Sequence, residues 1–442
     1  MNKESLKTTK NLISFIEKSP TAFQAVENAE KLLLENGYTK LAENCEWELV
    51  PGGKYFVTRN MSSIIAFRIP KEAAPSAFMI CSSHTDSPTF KLKSECEAVS
   101  GDYTKLNTEK YGGMIISSWF DRPLSVAGRA IIKKDGHIIP VSVNIDRDLL
   151  VMPNVAIHMN RAVNEGFKFN PAVDTLPLFK CRNDSTKASK GIYDLAAAAV
   201  GVDRKDLLGA DLYLYNRTKG AILGADNEFF SAPRIDNLMC AYSTLIGFIS
   251  SSDCASIPVW CSFDNEETGS ESKQGAASDF LYGTLSAVCE KLGKKLSVML
   301  PSSFMVSADN GHAKHPNHPE LSDGMNAPAM NGGVVIKYNA SQRYTTDALS
   351  AAIFTEICEN ARVPLQRYNN RSDMPGGSTL GSISNTKVSL NTVDIGLAQL
   401  AMHSAYETAG SADALHLVNA AKAVYETVIE LDDNGYTLNI RQ

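Results

Sequence analysis

No run of eighteen or more uninterrupted apolar residues occurs in the chain, which argues against a helical membrane span. The opening MNKESLKTTKNLISFIEKSP lacks a long apolar core and a small-residue cleavage site, so it does not read as a secretory signal. A basic surplus is also missing: 43 Lys and Arg face 49 Asp and Glu, a formal net charge of -6. Nucleic acid and anionic membranes both reward excess positive charge, so neither is expected as a partner. The nine cysteines are odd in number and form no C-x-x-C pair, which suits a reduced cytoplasm. Repeats and low-complexity tracts are absent too. What is present, 44% hydrophobic and 21% charged residues over 442 positions, describes a soluble globular protein too long for one ordinary core.

Along the chain, Ser19-Pro20 predicts a helix N-cap with proline at the first helical position, and AFQAVENAEKLLLENGY continues at helical spacing to Gly37. WELVPGGKYFVTRN and SSIIAFRIP predict a hairpin turning at Gly52-Gly53. SAFMICSSHTDSP is an apolar strand that stops on polar residues, as a buried α/β strand does. From about 91 to 232 the pattern is strand-rich, with a turn signal at Lys134-Asp135-Gly136 and one helix in KASKGIYDLAAAAVGV. From 233 onward, helices and apolar strands alternate, closing with a long helix through ADALHLVNAAKAVYETVIEL. The expectation is an α/β fold: a mainly parallel sheet flanked by helices, built from residues 1–90 and 233–442, with a mainly β insertion at 91–232.

Five places where strand-like runs give way to loops carry metal-ligand chemistry. His84-Thr85-Asp86 follows AFMICSS, Asp236-Asn237 follows SAPRI, and Glu266-Glu267 follows PVWCSFDN; Asp309 follows MVSA, and His403 follows DIGLAQLAM. Ligands gather at the carboxyl ends of strands in open α/β sheets, so these groups can converge. Two histidines with three carboxylates suit zinc, with cobalt or manganese as alternatives. Asp86 can accept the other ring N–H of His84. Adjacent residues in an extended segment point different ways, so Glu267 can bind metal while Glu266 faces a water and takes its proton. Each fragment alone has a plainer reading: Asp236 as a helix N-cap, Glu266-Glu267 as a solvated turn, Asp309-Asn310-Gly311 as a loop.

The segments SPTAFQAV, GGKYFVTRN, SSHTDSPTFKLK, YGGMIISSWFDRPLSVAGR, PNVAIHMNR, FFSAPRIDNL, DNEETGS, SADNGHAKHPNHPEL, IKYNASQRYTTD, RSDMPGGSTLG and LAQLAMHSAYE together resemble the aspartyl aminopeptidase family of metallopeptidases. The resemblance runs over nearly the whole chain. It implies two divalent metals, one held by His84, Asp236 and Asp309, the other by Asp236, Glu267 and His403, with Asp236 shared and Glu266 as catalytic base. It implies that His158 reaches a neighbouring subunit's site, that the insertion makes dimers, and that dimers build a dodecamer admitting short peptides. It implies that Lys337 meets an acidic substrate side chain. From the residues alone, His158 reads first as a packed strand residue, and Lys337 has the plainer reading of a strand-edge lysine. Thr268 and Ser382 depart from the family pattern, and the additional His312, His315 and His318 read as loop support behind Asp309. The implied activity is aminopeptidase action on Asp or Glu; neutral preference and a catalytically silent shell are the alternatives.

Overall fold

The computed structural model describes residues 2–71, 75–182, 190–374 and 376–440. Its centre is a nine-stranded sheet in the order Thr39–Leu41, Lys54–Arg59, Ser63–Arg68, Ile257–Phe263, Phe78–His84, Phe304–Ala308, Asn391–Gly396, Val334–Tyr338 and Leu365–Asn369. The four strands from Ile257–Phe263 to Asn391–Gly396 are mutually parallel. They read as continuous apolar runs because both faces are covered. Alternate residues point to opposite faces: Met79, Cys81 and Trp260 enter one hydrophobic cluster, Phe78, Ile80, Val259 and Cys261 the other. Helices Ile235–Ser250, Ala348–Asn360 and Asp413–Tyr425 cover the first face, and Phe280–Lys291 the second.

A six-stranded antiparallel sheet spans residues from Thr89 to Asn216 and carries its own apolar cluster, including Phe90, Leu106, Trp119 and Leu214. Its hairpin Leu124–Lys134 to His137–Asn144 turns at Asp135-Gly136, both at positive φ, as the turn signal predicts. A five-stranded sheet joins Phe229–Ala232 to Glu407–Gly410. Among the described residues no helix is long and apolar enough to cross a membrane, and all nine cysteines are free.

Several local expectations are corrected. The first helix is Lys3–Lys18, which buries Leu12, Phe15 and Ile16, and Ser19 ends it instead of opening the next. The second helix begins at Ala22 behind Thr21. The early hairpin turns at Asn60-Met61, whose φ values of 58 and 60 suit a tight hairpin turn; Gly52-Gly53 lie before its first strand. The closing helix stops at Tyr425, because the β-branched Thr427-Val428-Ile429 pair with Gly435–Ile440 as a hairpin. The helix of the KASKGIYD stretch is Ile192–Ala199; the residues before Lys190 and Pro375 of RSDMPGGSTLG lie outside the described residues.

Candidate metal centre

Three of the proposed ligand positions leave the carboxyl ends of neighbouring parallel strands. His84 ends Phe78–His84, Glu266 and Glu267 follow Ile257–Phe263, and Asp309 follows Phe304–Ala308. The other two arrive from the five-stranded sheet. Asp236 follows Phe229–Ala232, and His403, at φ 65, sits in the loop between Ala398–Leu400 and Glu407–Gly410. Glu266–Thr268 is a single 3-10 turn after the left-handed Asn265, not the extended segment expected, yet it still separates the two carboxylates.

The structure brings all five residues together. His84 Nε2 lies 3.5 Å from Asp236 Oδ1 and 3.4 Å from Asp309 Oδ1. His403 Nε2 lies 3.3 Å from Asp236 Oδ2 and 3.5 Å from Glu267 Oε2. These separations are long for hydrogen bonds. They match the edges of a tetrahedron around a zinc-sized ion, about 3.4 Å for metal–ligand distances of about 2.0–2.2 Å. Asp236 Oδ1 and Glu267 Oε1 are buried without a hydrogen-bond partner, and buried carboxylates need a compensating charge. The donor set therefore fits divalent metal.

The electrostatics carry the same strain. Burial disfavours the His84 imidazolium, but Asp236, Asp309 and Asp86 outweigh it and raise its pKa well above the usual value. Burial pushes Glu266 up to about 8, with Asp309, Asp86 and Asp236 adding and His84 opposing. Burial, then Asp236, drives Glu267 well above the carboxylate range.

Two supports were not singled out from the sequence. Glu407, 1% exposed, accepts from Asp236 N–H at 3.0 Å through Oε2, and from His403 N–H at 2.7 Å and Gln399 Nε2 at 3.1 Å through Oε1. It lies four residues beyond His403 in LAQLAMHSAYE, which was the available signal. Tyr111 donates its hydroxyl to Asp86 Oδ2 at 2.7 Å. The Asp86 carboxylate also accepts from Glu266 N–H and Glu267 N–H at 3.2 Å each. The nearest Asp86 atom to His84 Nδ1 is the backbone carbonyl at 3.1 Å, with carboxylate Oδ1 at 3.4 Å. The expected ring contact is thus made chiefly through the main chain.

The remaining candidates divide. Lys337, only 2% exposed, is no strand-edge lysine: its ammonium lies 3.4 Å from Asp309 Oδ2 and donates to Asn310 O at 3.0 Å. His158 is exposed on a turn beside exposed Ile157 and Met159, so it is not a packed strand residue. The His315 and His318 rings lie 5.3 Å apart at a tilt of 41°, and exposed His318 pairs with Glu320. The Thr268 and Ser382 hydroxyls bond locally, to Asn265 O and Thr379 O.

Residues 15–425 match the family model for aminopeptidase I zinc metalloproteases (M18). A probable M18 family aminopeptidase 2 of Clostridium acetobutylicum is 43% identical, covering 96% of this chain and 99% of its own. Aspartyl aminopeptidase 1 of Schizosaccharomyces pombe is 36% identical over 96% of this chain and 95% of its own. Among solved structures, Ape4 in a complex with Nbr1 superposes with a TM-score of 0.93 at 35% identity, covering 96% of this chain and 87% of that one. The S. cerevisiae mApe1 dodecamer superposes at 0.80 with 26% identity, covering 96% and 98%. The family model over residues 15–425, with relatives 36% and 43% identical over nearly the whole of both chains, places the chain in the M18 family of zinc metallopeptidases, as a peptide hydrolase that takes a divalent metal cofactor.

Proposed function

We propose that this M18 peptidase is a two-metal aminopeptidase that removes N-terminal residues from short peptides. The observation that carries the metal count is the division of the Asp236 carboxylate, with Oδ1 toward His84 and Oδ2 toward His403. One position would be held by His84, Asp236 and Asp309, the other by Asp236, Glu267 and His403. Zinc suits each set of one imidazole and two carboxylates, with cobalt or manganese as substitutes. Bound there, the cations supply Lewis acidity that polarises the scissile carbonyl and acidifies water.

Glu266 stands outside both ligand sets, its Oε2 3.9 Å from His84 Nε2. Its carboxylate accepts the proton of the attacking water and delivers it to the leaving amine nitrogen. Asp86 steadies this glutamate by accepting from the backbone N–H groups of Glu266 and Glu267.

Preference for N-terminal Asp or Glu is supported by the buried Lys337 ammonium beside Asp309 and by the name of the S. pombe relative. Neutral preference has an observation of its own: Lys337 already has Asp309 and Asn310 as partners. Amide substrates of Asp, Glu, Leu and Lys, assayed with chelator and with single metals restored, separate the readings. Loss with chelator and rescue by metal is expected, fastest on Asp and Glu. No hydrolysis of any substrate after metal loading would revive the silent shell.

Residues 91–232 form the insertion in this reading, and its exposed Val155, Ile157, His158 and Met159 suit a face that presents His158 to a second copy's site. A dodecamer built from dimers is proposed by analogy with the mApe1 assembly. The nine free cysteines fit a cytoplasmic setting. Light scattering of the purified protein tests the assembly.

A further inference from the structure

The segment from the end of strand Tyr103–Tyr111 to strand Leu124–Lys134 connects two strands of the six-stranded sheet, yet it bonds to the Asp86, Asn265 and His403 loops at the metal centre. On one side, the Tyr111 hydroxyl donates to Asp86 Oδ2 at 2.7 Å and accepts from Asn265 Nδ2 at 2.8 Å. Asp86 receives the backbone N–H groups of Glu266 and Glu267, and Asn265 is the left-handed residue (φ 64) that starts their turn. Gly112, at φ +77, follows so closely that a Cβ there would stand 3.1 Å from Glu267 Cβ and 3.2 Å from its carbonyl oxygen. On the other side, Ile115 N–H donates to His403 O at 3.0 Å. Ser118 Oγ accepts from Ala405 N–H at 2.8 Å, and Asn216 of the same sheet donates to Ala405 O at 2.8 Å. Tyr213, also of that sheet, braces the Tyr111 ring edge-on at 5.6 Å.

We infer that residues 111–118 are a clasp through which the inserted sheet sets the metal centre, with the Tyr111 hydroxyl as the positioning residue for the Glu266–Glu267 turn. This role rests on the peptidase reading above. The two N–H bonds from Glu266 and Glu267 to Asp86 are long, at 3.2 Å each, so the orientation of that carboxylate depends on its shorter bond to Tyr111. The same hydroxyl anchors Asn265. Removing it takes the shortest bond from Asp86 and one side-chain bond from Asn265, which keeps Ser272 and Gln274 as partners; the turn then shifts, and a displaced general base loses turnover before it loses binding. Ser118 does the corresponding work for the His403 loop.

Tyr111→Phe, Ser118→Ala and the control Tyr193→Phe test this in the full chain. The Tyr193 hydroxyl donates to Ser94 O elsewhere in the same sheet. Tyr111→Phe is expected to lower kcat by about 10–100-fold, the range of an outer support at a metal site, with KM, zinc content and Tm near those of the parent. Ser118→Ala is expected to lose zinc faster to a chelator. Tyr193→Phe is expected to match the parent in both. The clasp is overturned if Tyr111→Phe changes only Tm, if Tyr193→Phe lowers kcat as much, or if Ser118→Ala retains zinc like the parent. A parent protein inactive on every aminoacyl substrate would instead sink the peptidase reading, and zinc retention by Ser118→Ala would still decide the clasp.

Discussion

Glu407→Gln isolates one support of the metal centre without changing its volume. The carboxylate receives three N–H donors: Asp236 N at one oxygen, His403 N and Gln399 Nε2 at the other. An amide can keep only one oxygen. If that oxygen stays with His403 and Gln399, the new NH2 group confronts the Asp236 N–H. Flipping the amide loses two bonds instead of one, so the first arrangement is favoured. A bond to a charged acceptor contributes about 1.5–3 kcal/mol, and a buried N–H left without an acceptor costs about 1–3 kcal/mol. The neutral amide is cheaper to bury than a carboxylate, which offsets part of this. The strain falls on the backbone of Asp236, the one residue shared by both proposed metal positions. Affinity should therefore fall at both positions together, by about 10–100-fold or ~1.4–2.7 kcal/mol. Competition with a coloured chelator, followed to two equivalents of zinc per chain, measures it. His403→Ala should weaken one position and spare the other. Unchanged affinity at both positions in Glu407→Gln, or loss at only one, would refute the reasoning.

Three further outcomes are expected. Glu266→Gln should retain its metal and lose several orders of magnitude in turnover, read by metal analysis beside steady-state kinetics; near-normal turnover would remove Glu266 as base. Lys337→Ala should harm Asp and Glu substrates far more than Leu substrates, because only an acidic side chain would exploit the ammonium; equal losses would assign Lys337 to holding Asp309. Burial draws the Asp211 pKa upward, but Arg129 at 2.6 Å and Lys91 at 3.1 Å outweigh it and hold the group below its usual value. A depressed folded pKa contributes stability above the unfolded pKa and loses it as pH falls through the folded one. Asp211→Asn should thus cost ~1 kcal/mol near neutral pH, and urea midpoints that fail to converge with the parent in acid would contradict this.

The strands that build the centre of the molecule were legible because burial on both faces writes itself as unbroken apolar sequence. AFMICSS, PVWCSF and MVSA each end where a polar residue begins, and those ends are where His84, Glu266 and Asp309 emerge. The opening helix Lys3–Lys18 went unread because lysines and threonines separate its few apolar anchors. The end of the last helix was misplaced because Val428 and Ile429 continue an apolar pattern that helix and strand share over a short run. Only the facing hairpin partner, Gly435–Ile440, decides between them.

The site was less legible in its supports than in its proposed ligands, and the reason is chemical. A ligand must be one of a few residue types, so histidines and carboxylates at strand ends stand out. Glu407 and Tyr111 act instead on backbone N–H groups and on another carboxylate, partners that exist at every position and acquire meaning only through distance. Two of the proposed ligands also arrive from outside the central sheet: Asp236 and His403 flank strands of the five-stranded sheet, paired through Phe229–Ala232 and Glu407–Gly410. That pairing lets one glutamate reach the backbones of both. Glu407 ends up where it is because it opens the strand that follows the His403 loop and pairs directly with Ala232, four residues before Asp236. The reach of Glu407 to both backbones is therefore set by strand register, and a one-residue slip in that pairing would turn Glu407 to the opposite face of the sheet.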